Sequence, residues 1–310
     1  MTDFSKTLIR CSALGSIMCN PTGKTPMQQY TEATESLEKK NAQYDKLIKK
    51  DGVQGAKLRE AIEKLKEEVP VLDAQKDEEF LSKSCQAYLI KTYALEKYNR
   101  IKDIETKEMV KGIVVEDNSI ELFSIMEGKL YEKNKMRLSN EMVSGTPDLF
   151  DGESIDQATR IIDIKSSYDI ETFLKNVTQP LPSIYYWQLQ GYLWLTSAKV
   201  GVISYCLVNT PESIVNQQAE YLLRKLDVAT TDNPRYQKEY AKMVRNMTFD
   251  DIPMEERIIR IEVERNDDDI EKIYKKVIKC REYLQEFQEK HLFFTKNYRK
   301  ESFNSEKLEE

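Results

Sequence analysis

Two short β-branched segments separated by a helical one constrain the fold more than any other feature of this sequence. TRIIDIKSS (159–167) and VGVISYCLV (200–208) have the composition of strands, and SIYYWQLQGYLWLTS (183–197) between them has that of a helix. NEMVSGTPDLF (140–150) predicts a further strand before the first. Helices then surround a short mixed sheet, so the predicted class is α/β, without any repeat.

The flanking patterns are mostly helical. Charged, helix-prone residues predict a helical hairpin at about 27–69, with glycines at its turn and Pro70 closing it, inserted into a single domain that spans 1–300. This hairpin is a solvated helix pair or a lysine-rich arm that touches DNA. We expect residues 301–310 to form a frayed tail. Further helices are predicted over 77–100, 104–123, 211–228 and 267–291, and an edge strand over 257–265.

Composition excludes several classes of protein. The 310 residues carry a formal charge of −6, which a globally basic nucleic-acid binder would not have. The five cysteines form no CxxC pair and there is a single histidine, His291, so a disulfide framework, a zinc site and a Ser-His-Asp site are disfavoured. No apolar run approaches the roughly twenty residues of a membrane span. We therefore expect a cytoplasmic protein without a membrane segment.

Acidic residues enter the predicted sheet at specific positions. Residues i and i+2 of a strand share a face, so Asp163 and Lys165 lie on one face and Ile162 and Ile164 on the other. If the turn at 151–152 pairs the two strands, Asp148 can lie beside Asp163. Two neighbouring carboxylates repel unless a cation separates them, and a hard divalent ion such as Mg²⁺ suits oxygen ligands.

Such an ion would act on a phosphodiester. It polarises the phosphate and acidifies a bound water, while Lys165 would orient or deprotonate the water or neutralise the transition state. The alternative is an exposed Asp163–Lys165 pair on an edge strand, and Asp148 behind Pro147 weighs against it.

A third carboxylate occurs on the predicted 104–123 helix. Met109, Ile113, Glu116 and Ile120 are spaced as one helix face, which places Glu116 within an apolar stripe. The spacing leaves two interpretations open: a buried carboxylate with a role in the site, or the edge of the stripe, where the side chain reaches water.

These motifs resemble a known nuclease family. Pro147-Asp148, fourteen residues, then Asp163-Ile164-Lys165 resembles the PD-(D/E)xK core, and its context is similar to the bacteriophage lambda exonuclease family. The residues that carry this second likeness are Tyr185, Gln188, Gln190 and Trp194 on the following helix, and the opening RCSALGSIM (10–18). The resemblance implies a restriction-endonuclease-like core.

The resemblance also implies a metal site. Asp148, Asp163 and Glu116, the last with Gly112 four residues before it, would bind the ion with help from the Ile164 carbonyl. Lys165 would be the catalytic lysine. The implied cofactor is Mg²⁺, with Mn²⁺ possible.

DNA contacts follow from the same resemblance. Gln188 would contact the scissile region or the lysine, and Arg10, Ser12 and Thr146 would touch phosphate near the DNA end, with Tyr192 also on the DNA-binding helix. The implied activity is digestion of linear duplex DNA from 5′ to 3′ in phage-type recombination, in the host cytoplasm, as a homo-oligomer with a single-strand annealing partner.

The sequence departs from the pattern of this family at two points. The middle acid is Asp163 rather than the commoner glutamate, and the 27–69 hairpin has no counterpart in the compact phage enzyme, so a ring-shaped trimer is not implied. Only Cys206 and Cys280 follow the core, which disfavours the iron–sulfur branch of these nucleases.

Two other functions compete with the exonuclease interpretation. One is a structure-specific or restriction-like endonuclease with the same site, and the other is a non-cleaving DNA-binding or phage structural protein.

Overall fold

The structure is a computed structural model that describes residues 2–19, 24, 26–51, 55–75, 81–102 and 106–305. It contains two compact units, Met1–Ser16 with Lys91–Glu310, and Ile17–Ile90. The helices of the described residues are α1 (Leu14–Met18), α2 (Pro26–Asp51), α3 (Ala56–Gln75), α4 (Lys83–Tyr98), α5 (Lys107–Val114), α6 (Glu116–Glu127), α7 (Ile170–Thr178), α8 (Ser183–Thr196), α9 (Glu212–Leu226), α10 (Pro234–Arg245) and α11 (Asp267–Ser305). The strands are β1 (Ile9–Arg10), β2 (Leu138–Ser139), β3 (Val143–Gly145), β4 (Leu149–Asp151), β5 (Arg160–Ser166), β6 (Val200–Cys206) and β7 (Ile258–Glu264).

The Ile17–Ile90 unit contains the predicted helical hairpin. Helices α2 and α3 pack against each other, and Arg59 Nε donates a 2.9 Å hydrogen bond to the Tyr44 hydroxyl. The prediction that Pro70 ends the second helix is wrong, because α3 continues to Gln75 with the proline inside it. Pro70 has no N–H to donate to the carbonyl four residues earlier, but the helix continues on both sides of it.

The segment predicted as one strand over 140–150 is divided. Strand β3 belongs to a three-stranded sheet of order β1-β3-β2, whereas β4 belongs to a second sheet. The break spans 146–148 and includes Pro147, which has no N–H to donate to a sheet. The two ends of this short segment therefore serve two different sheets.

The second sheet is mixed and has the order β4-β5-β6-β7. Strands β4 and β5 are antiparallel, β5 and β6 parallel, and β6 and β7 antiparallel. The segments predicted at 159–167, 200–208 and 257–265 form β5, β6 and the edge strand β7. The predicted α/β class, with a short mixed sheet among helices, is confirmed.

Helices cover this sheet on both faces. Ile162 and Ile164 pack with Ile120 and Phe123 of α6 in one buried cluster. On the other face α8 lies against β5 and β6, and Leu189 approaches Gly201 closely. Asp163 on this face is 1% exposed, whereas Lys165, two residues further along the same face, is partly exposed.

The helix predicted over 104–123 is two helices. Val115, with φ −100° and ψ 9°, separates α5 from α6. Met109 and Ile113 are exposed whereas Ile120 is buried, so the predicted single apolar face is wrong. The sequence analysis also missed α7 and α10. None of the helices in the described part of the chain is long and apolar enough to cross a bilayer.

Candidate active site

Asp148 and Asp163 lie side by side because β4 and β5 are antiparallel neighbours. The register pairs Leu149 with Ile162, so the next position along each strand sets Asp148 opposite Asp163. Asp148 Oδ2 accepts a 2.8 Å hydrogen bond from the backbone N–H of Ile164. Strand pairing thus brings together two carboxylates that are 15 residues apart in the sequence.

Asn134 fixes the turn that carries Asp148. Its backbone N–H donates to the Asp148 carbonyl at 2.7 Å, and its Nδ2 donates to the Pro147 carbonyl at 2.9 Å. The side chain is buried. The sequence analysis missed this residue, since an asparagine in a stretch without periodicity gives no signal for such a contact.

Electrostatics at the two aspartates are unfavourable without a cation. Burial and the nearby charge of Asp163 raise the pKa of Asp148 to about 7, and the charge of Glu116 adds to the effect. Burial also raises the pKa of Asp163. Two neighbouring carboxylates that are largely shielded from water either share a proton or bind a cation.

Lys165 is paired with this acidic group. Its Nζ lies 2.5 Å from Asp163 Oδ2 and 5.0 Å from the centre of the Tyr185 ring. Burial favours the neutral amine, but the charges of Asp163 and Asp148 outweigh it and raise the pKa of Lys165. The side chain is therefore an ammonium group at neutral pH.

Gln188 contacts Asp163 rather than the lysine. Its Nε2 donates to Asp163 Oδ1 at 2.8 Å and to the Tyr192 hydroxyl at 3.1 Å. Gln188 and Tyr192 are at positions i and i+4 of α8, and both are buried. Tyr192, predicted on the DNA-binding helix, thus holds the amide that orients the Asp163 carboxylate.

Glu116 begins α6, and the helix break at Val115 sets this position. Its carboxylate forms an ion pair with Lys133, a residue that the sequence analysis missed. A 2.8 Å hydrogen bond between the hydroxyls of Ser119 and Ser166 joins the first turn of α6 to the end of β5. Glu116 is consequently held near the end of the strand that carries Asp163.

A cavity of about 860 Å³ brings most of the predicted residues together. Its wall includes Glu116, Asp148, Asp163, Ile164, Lys165, Gln188 and Tyr192. Met109, Gly112 and Ile113 of α5 also line this cavity. The side chains of Met109 and Ile113 are exposed because they face it. The cavity is large enough for a nucleotide-sized ligand.

Arg10, Ser12 and Thr146 lie outside this wall, on or beside the three-stranded sheet. Arg10 pairs with Ser144 of β3, two residues before Thr146, and Ser12 is exposed. Arg137, which the sequence analysis did not single out, donates from Nη2 to the Ser144 hydroxyl at 2.8 Å. Two arginines accordingly approach the same short strand.

Tyr205 is a cavity residue that only strand pairing reveals. It is the register partner of Lys165 on the parallel strand β6, so both side chains share a face. It is 5% exposed and lines the cavity, and its hydroxyl has no hydrogen-bond partner among the described residues. Burial raises the pKa of Tyr205.

The donor set fits a hard divalent cation. Among the described residues, no three His, Cys, Asp or Glu side chains are close enough to hold a metal ion as they stand. Asp148 and Asp163 nevertheless repel each other, the Lys165 ammonium compensates only part of this negative charge, and Glu116 lines the same cavity. Oxygen ligands without cysteine or histidine suit Mg²⁺ or Mn²⁺ better than zinc.

Comparison with known proteins finds likeness in structure and not in sequence. No family model matches the chain, and no curated protein matches it. The chain is similar to a phage-related exonuclease from Haemophilus somnus 129PT, with a TM-score of 0.57 and 18% identity over 92% of this chain and 97% of that chain. An alkaline exonuclease from Laribacter hongkongensis aligns with a TM-score of 0.47 and 15% identity over 72% of this chain and 89% of that chain.

The first of these structures bears directly on the prediction from sequence. The structural alignment extends over nearly the whole of both chains, which shows that the two proteins share a fold. The chain thus has the fold of a phage-related exonuclease, in agreement with the predicted resemblance to phage exonucleases.

Proposed function

We propose that this chain is a metal-dependent DNA exonuclease that hydrolyses phosphodiester bonds of linear duplex DNA from the 5′ end towards the 3′ end. The observation that carries the proposal is the convergence of Asp148, Asp163 and Lys165 in one cavity. The four-stranded sheet between α6 and α8 would be the restriction-endonuclease-like core. The fold shared with a phage-related exonuclease supports this assignment.

Asp148, Asp163 and Glu116, with the Ile164 carbonyl, would hold Mg²⁺ or Mn²⁺. Such a cation, when bound, supplies polarisation of the phosphodiester and a more acidic water. Glu116 must exchange its ion pair with Lys133 to take part. Its role is therefore the most dependent on rearrangement of the side chains.

The chain's own cationic and amide groups do the rest. The Lys165 ammonium, held at the cavity wall by Asp163, neutralises charge that develops on a phosphate oxygen during hydrolysis. Gln188 fixes the Asp163 carboxylate through its 2.8 Å hydrogen bond and is a positioning residue. Placement of preformed charges, with little reorganisation, is the source of the rate enhancement that we expect.

The proposal extends to partners. Arg10, Ser12 and Thr146 would contact phosphate near a DNA end, beside the small sheet. We expect a homo-oligomer that hands its single-stranded product to an annealing protein in the host cytoplasm. The proposed organisation remains one nuclease domain carrying the α2–α3 hairpin as an insertion.

The test is digestion of a linear, 5′-phosphorylated duplex beside its covalently closed circular form, with Mg²⁺, Mn²⁺ or EDTA. We expect loss of the linear DNA with metal and none with EDTA. Lys165→Ala should lower the rate at least about 100-fold, the scale of losing one transition-state charge contact. Lys275→Ala, which removes an exposed lysine paired with Glu271, is the matched control and should retain the wild-type rate.

The other outcomes separate the rivals. Cleavage of the circle would indicate an endonuclease, and intact DNA with either metal would indicate a non-cleaving DNA-binding or phage structural protein. Faster release of a label from the 3′ end than from the 5′ end would contradict the proposed polarity. Thermal unfolding of Lys165→Ala verifies that any loss of activity is not a loss of fold.

A further inference from the structure

A second cavity of about 410 Å³ lies away from the carboxylates, beside α6. We name it the Arg257 pocket. Its apolar walls are Val114, Leu122, Ile125, Val208 and Met254, and three of these, Val114, Ile125 and Met254, are about half exposed. Exposed apolar side chains gathered around a concave site are typical of binding surfaces.

Arg257 is the unusual member of this wall. The residue is 9% exposed, and backbone hydrogen bonds to Met254 and Leu207 fix its position. Its side chain makes no hydrogen bond with the described residues, and its Nε is buried without a partner. The nearest carboxylate oxygen, Asp250 Oδ1, lies 3.7 Å from Nη1 on a side chain that is 77% exposed.

A buried guanidinium has strong requirements. It carries a permanent charge and five N–H donors, and burial of such a group is costly unless an anion pairs with it. Asp250 does not meet this need, because its contact is long and its other oxygen accepts a 2.7 Å hydrogen bond from Asn209. The planar donor pair of an arginine matches a carboxylate particularly well.

The rest of the wall selects the kind of anion. Glu121 and Asp250 also line the pocket, and both would repel a doubly charged phosphate. They would tolerate a single carboxylate on Arg257 and accept hydrogen bonds from amide groups next to it. The apolar walls suit an aliphatic or aromatic group attached to that carboxylate.

The C-terminal residue of a protein combines all these groups. We propose that the Arg257 pocket binds the C-terminus of a partner protein that ends in an apolar residue, with its carboxylate on the Arg257 guanidinium and its side chain against the apolar walls. Backbone N–H groups of the preceding residues donate to Glu121 and Asp250. The site is independent of the proposed nuclease chemistry, since none of the carboxylates of the larger cavity lines it.

The test uses the full chain and fluorescein-labelled Gly-Ser peptides that end in leucine, methionine, phenylalanine or tryptophan. Each peptide is titrated by fluorescence polarisation with a free C-terminal carboxylate and with a carboxamide. We expect saturable binding of at least one free acid and at least about tenfold weaker binding of its amide. Failure of all four acids to bind up to about 1 mM, or equal binding of acid and amide, would overturn the proposal.

Substitutions in the wall of the Arg257 pocket test whether the peptide binds there. Arg257→Gln should weaken binding at least about tenfold, because the terminal carboxylate loses its charged partner. Since Arg257→Gln could disturb the fold, Ile125→Glu adds a negative charge at an exposed wall position, and Leu130→Glu, exposed and outside the wall, is its control. Weakening by Leu130→Glu as large as by Ile125→Glu would contradict this site.

N-acetylphenylalanine in the same assay distinguishes a small carboxylic acid from a protein terminus. We expect it to compete at least about tenfold more weakly than the best peptide, because it lacks the amides that meet the acidic rim. Competition as strong as that of the peptide would assign the pocket to a small acid instead.

Discussion

Three buried polar side chains on or beside the four-stranded sheet differ in how their polar atoms are paired. Asp163 is 1% exposed and is supported by Gln188 and Lys165. Lys111 is fully buried on α5, and its Nζ donates a 2.8 Å hydrogen bond to the Tyr168 carbonyl. Tyr205 has no partner for its hydroxyl among the described residues. Lys111 and Tyr205 therefore lead to different expectations for stability.

Tyr205→Phe should stabilise the protein. The substitution removes an unpaired buried hydroxyl while keeping the ring, and we expect the free energy of unfolding to rise by about 1 kcal/mol. Tyr131→Phe is the control, because the Tyr131 hydroxyl donates to Asp151 at 2.8 Å, and it should lose about 1 kcal/mol. Urea denaturation measures both. Equal losses for the two variants would show that the Tyr205 hydroxyl is paired.

Lys111 should make stability depend on pH in the alkaline range. Burial lowers the pKa of Lys111 to about 8, although the charge of Asp169 opposes this. The folded chain then releases the proton at a lower pH than the unfolded chain, so this group's contribution to stability rises with pH from about 8 to about 10.5.

The comparison of wild type with Lys111→Met isolates this group. We expect the melting temperature of wild type relative to Lys111→Met to increase between about pH 7.5 and pH 9.5. Lys107→Met, an exposed position on the same helix, should show a difference from wild type that does not change with pH. A constant difference for Lys111→Met would mean that the folded chain keeps this proton throughout.

At the scale of elements, close packing between α1 and α8 requires glycine. A Cβ at Gly15 would lie 2.4 Å from the Ile184 Cα, a backbone atom that cannot rotate away. Gly112 of α5 is the opposite case, because a Cβ there would meet nothing within 4 Å. Both positions are helical, where alanine is intrinsically favoured over glycine.

Gly15→Ala and Gly112→Ala should therefore change stability in opposite directions. We expect the first to lower the free energy of unfolding by about 1–3 kcal/mol through overpacking. The second should raise it by about 0.5–1 kcal/mol through the lower entropy of the unfolded chain. Thermal and urea unfolding of the two variants measure this difference. A stable Gly15→Ala protein would mean that α1 and α8 are further apart.

At the scale of the whole molecule, α11 holds the N-terminal segment. Gln288 is buried, its Nε2 donates to the Thr2 carbonyl at 3.0 Å, and its Oε1 accepts from the Thr2 N–H at 3.2 Å. Arg281 Nε donates to the Thr7 carbonyl at 3.0 Å. These bonds join the two ends of the chain and position the segment that leads to Arg10.

Gln288→Leu should loosen the N-terminus. Two backbone groups of Thr2 lose their partner, and we expect a loss of about 1–3 kcal/mol in the free energy of unfolding. Amide hydrogen exchange should become faster over residues 2–10. Gln285→Leu, at a half-exposed position of the same helix, is the control. Unchanged exchange in Gln288→Leu would show that other contacts hold this segment.

Local pattern by itself determined much of this protein. Alternation and β-branched content predicted β5, β6 and β7, and the spacing of Asp163 and Lys165 predicted that they share a strand face. The motif around Asp148 and Asp163 predicted a nuclease-type fold through its resemblance to a nuclease family, and the chain shares its fold with a phage-related exonuclease. These features depend on a few consecutive residues, so the sequence alone is enough to predict them.

The tertiary structure decided the rest. The division of 140–150 between two sheets and the break at Val115, which sets Glu116 at a helix start, follow from which elements pack together. The roles of Asn134 and Tyr205 and the weak pairing of Arg257 with Asp250 depend on how distant segments pack together. Periodicity specifies which face of an element is apolar, whereas partners across the fold are specified only when all the faces are buried together.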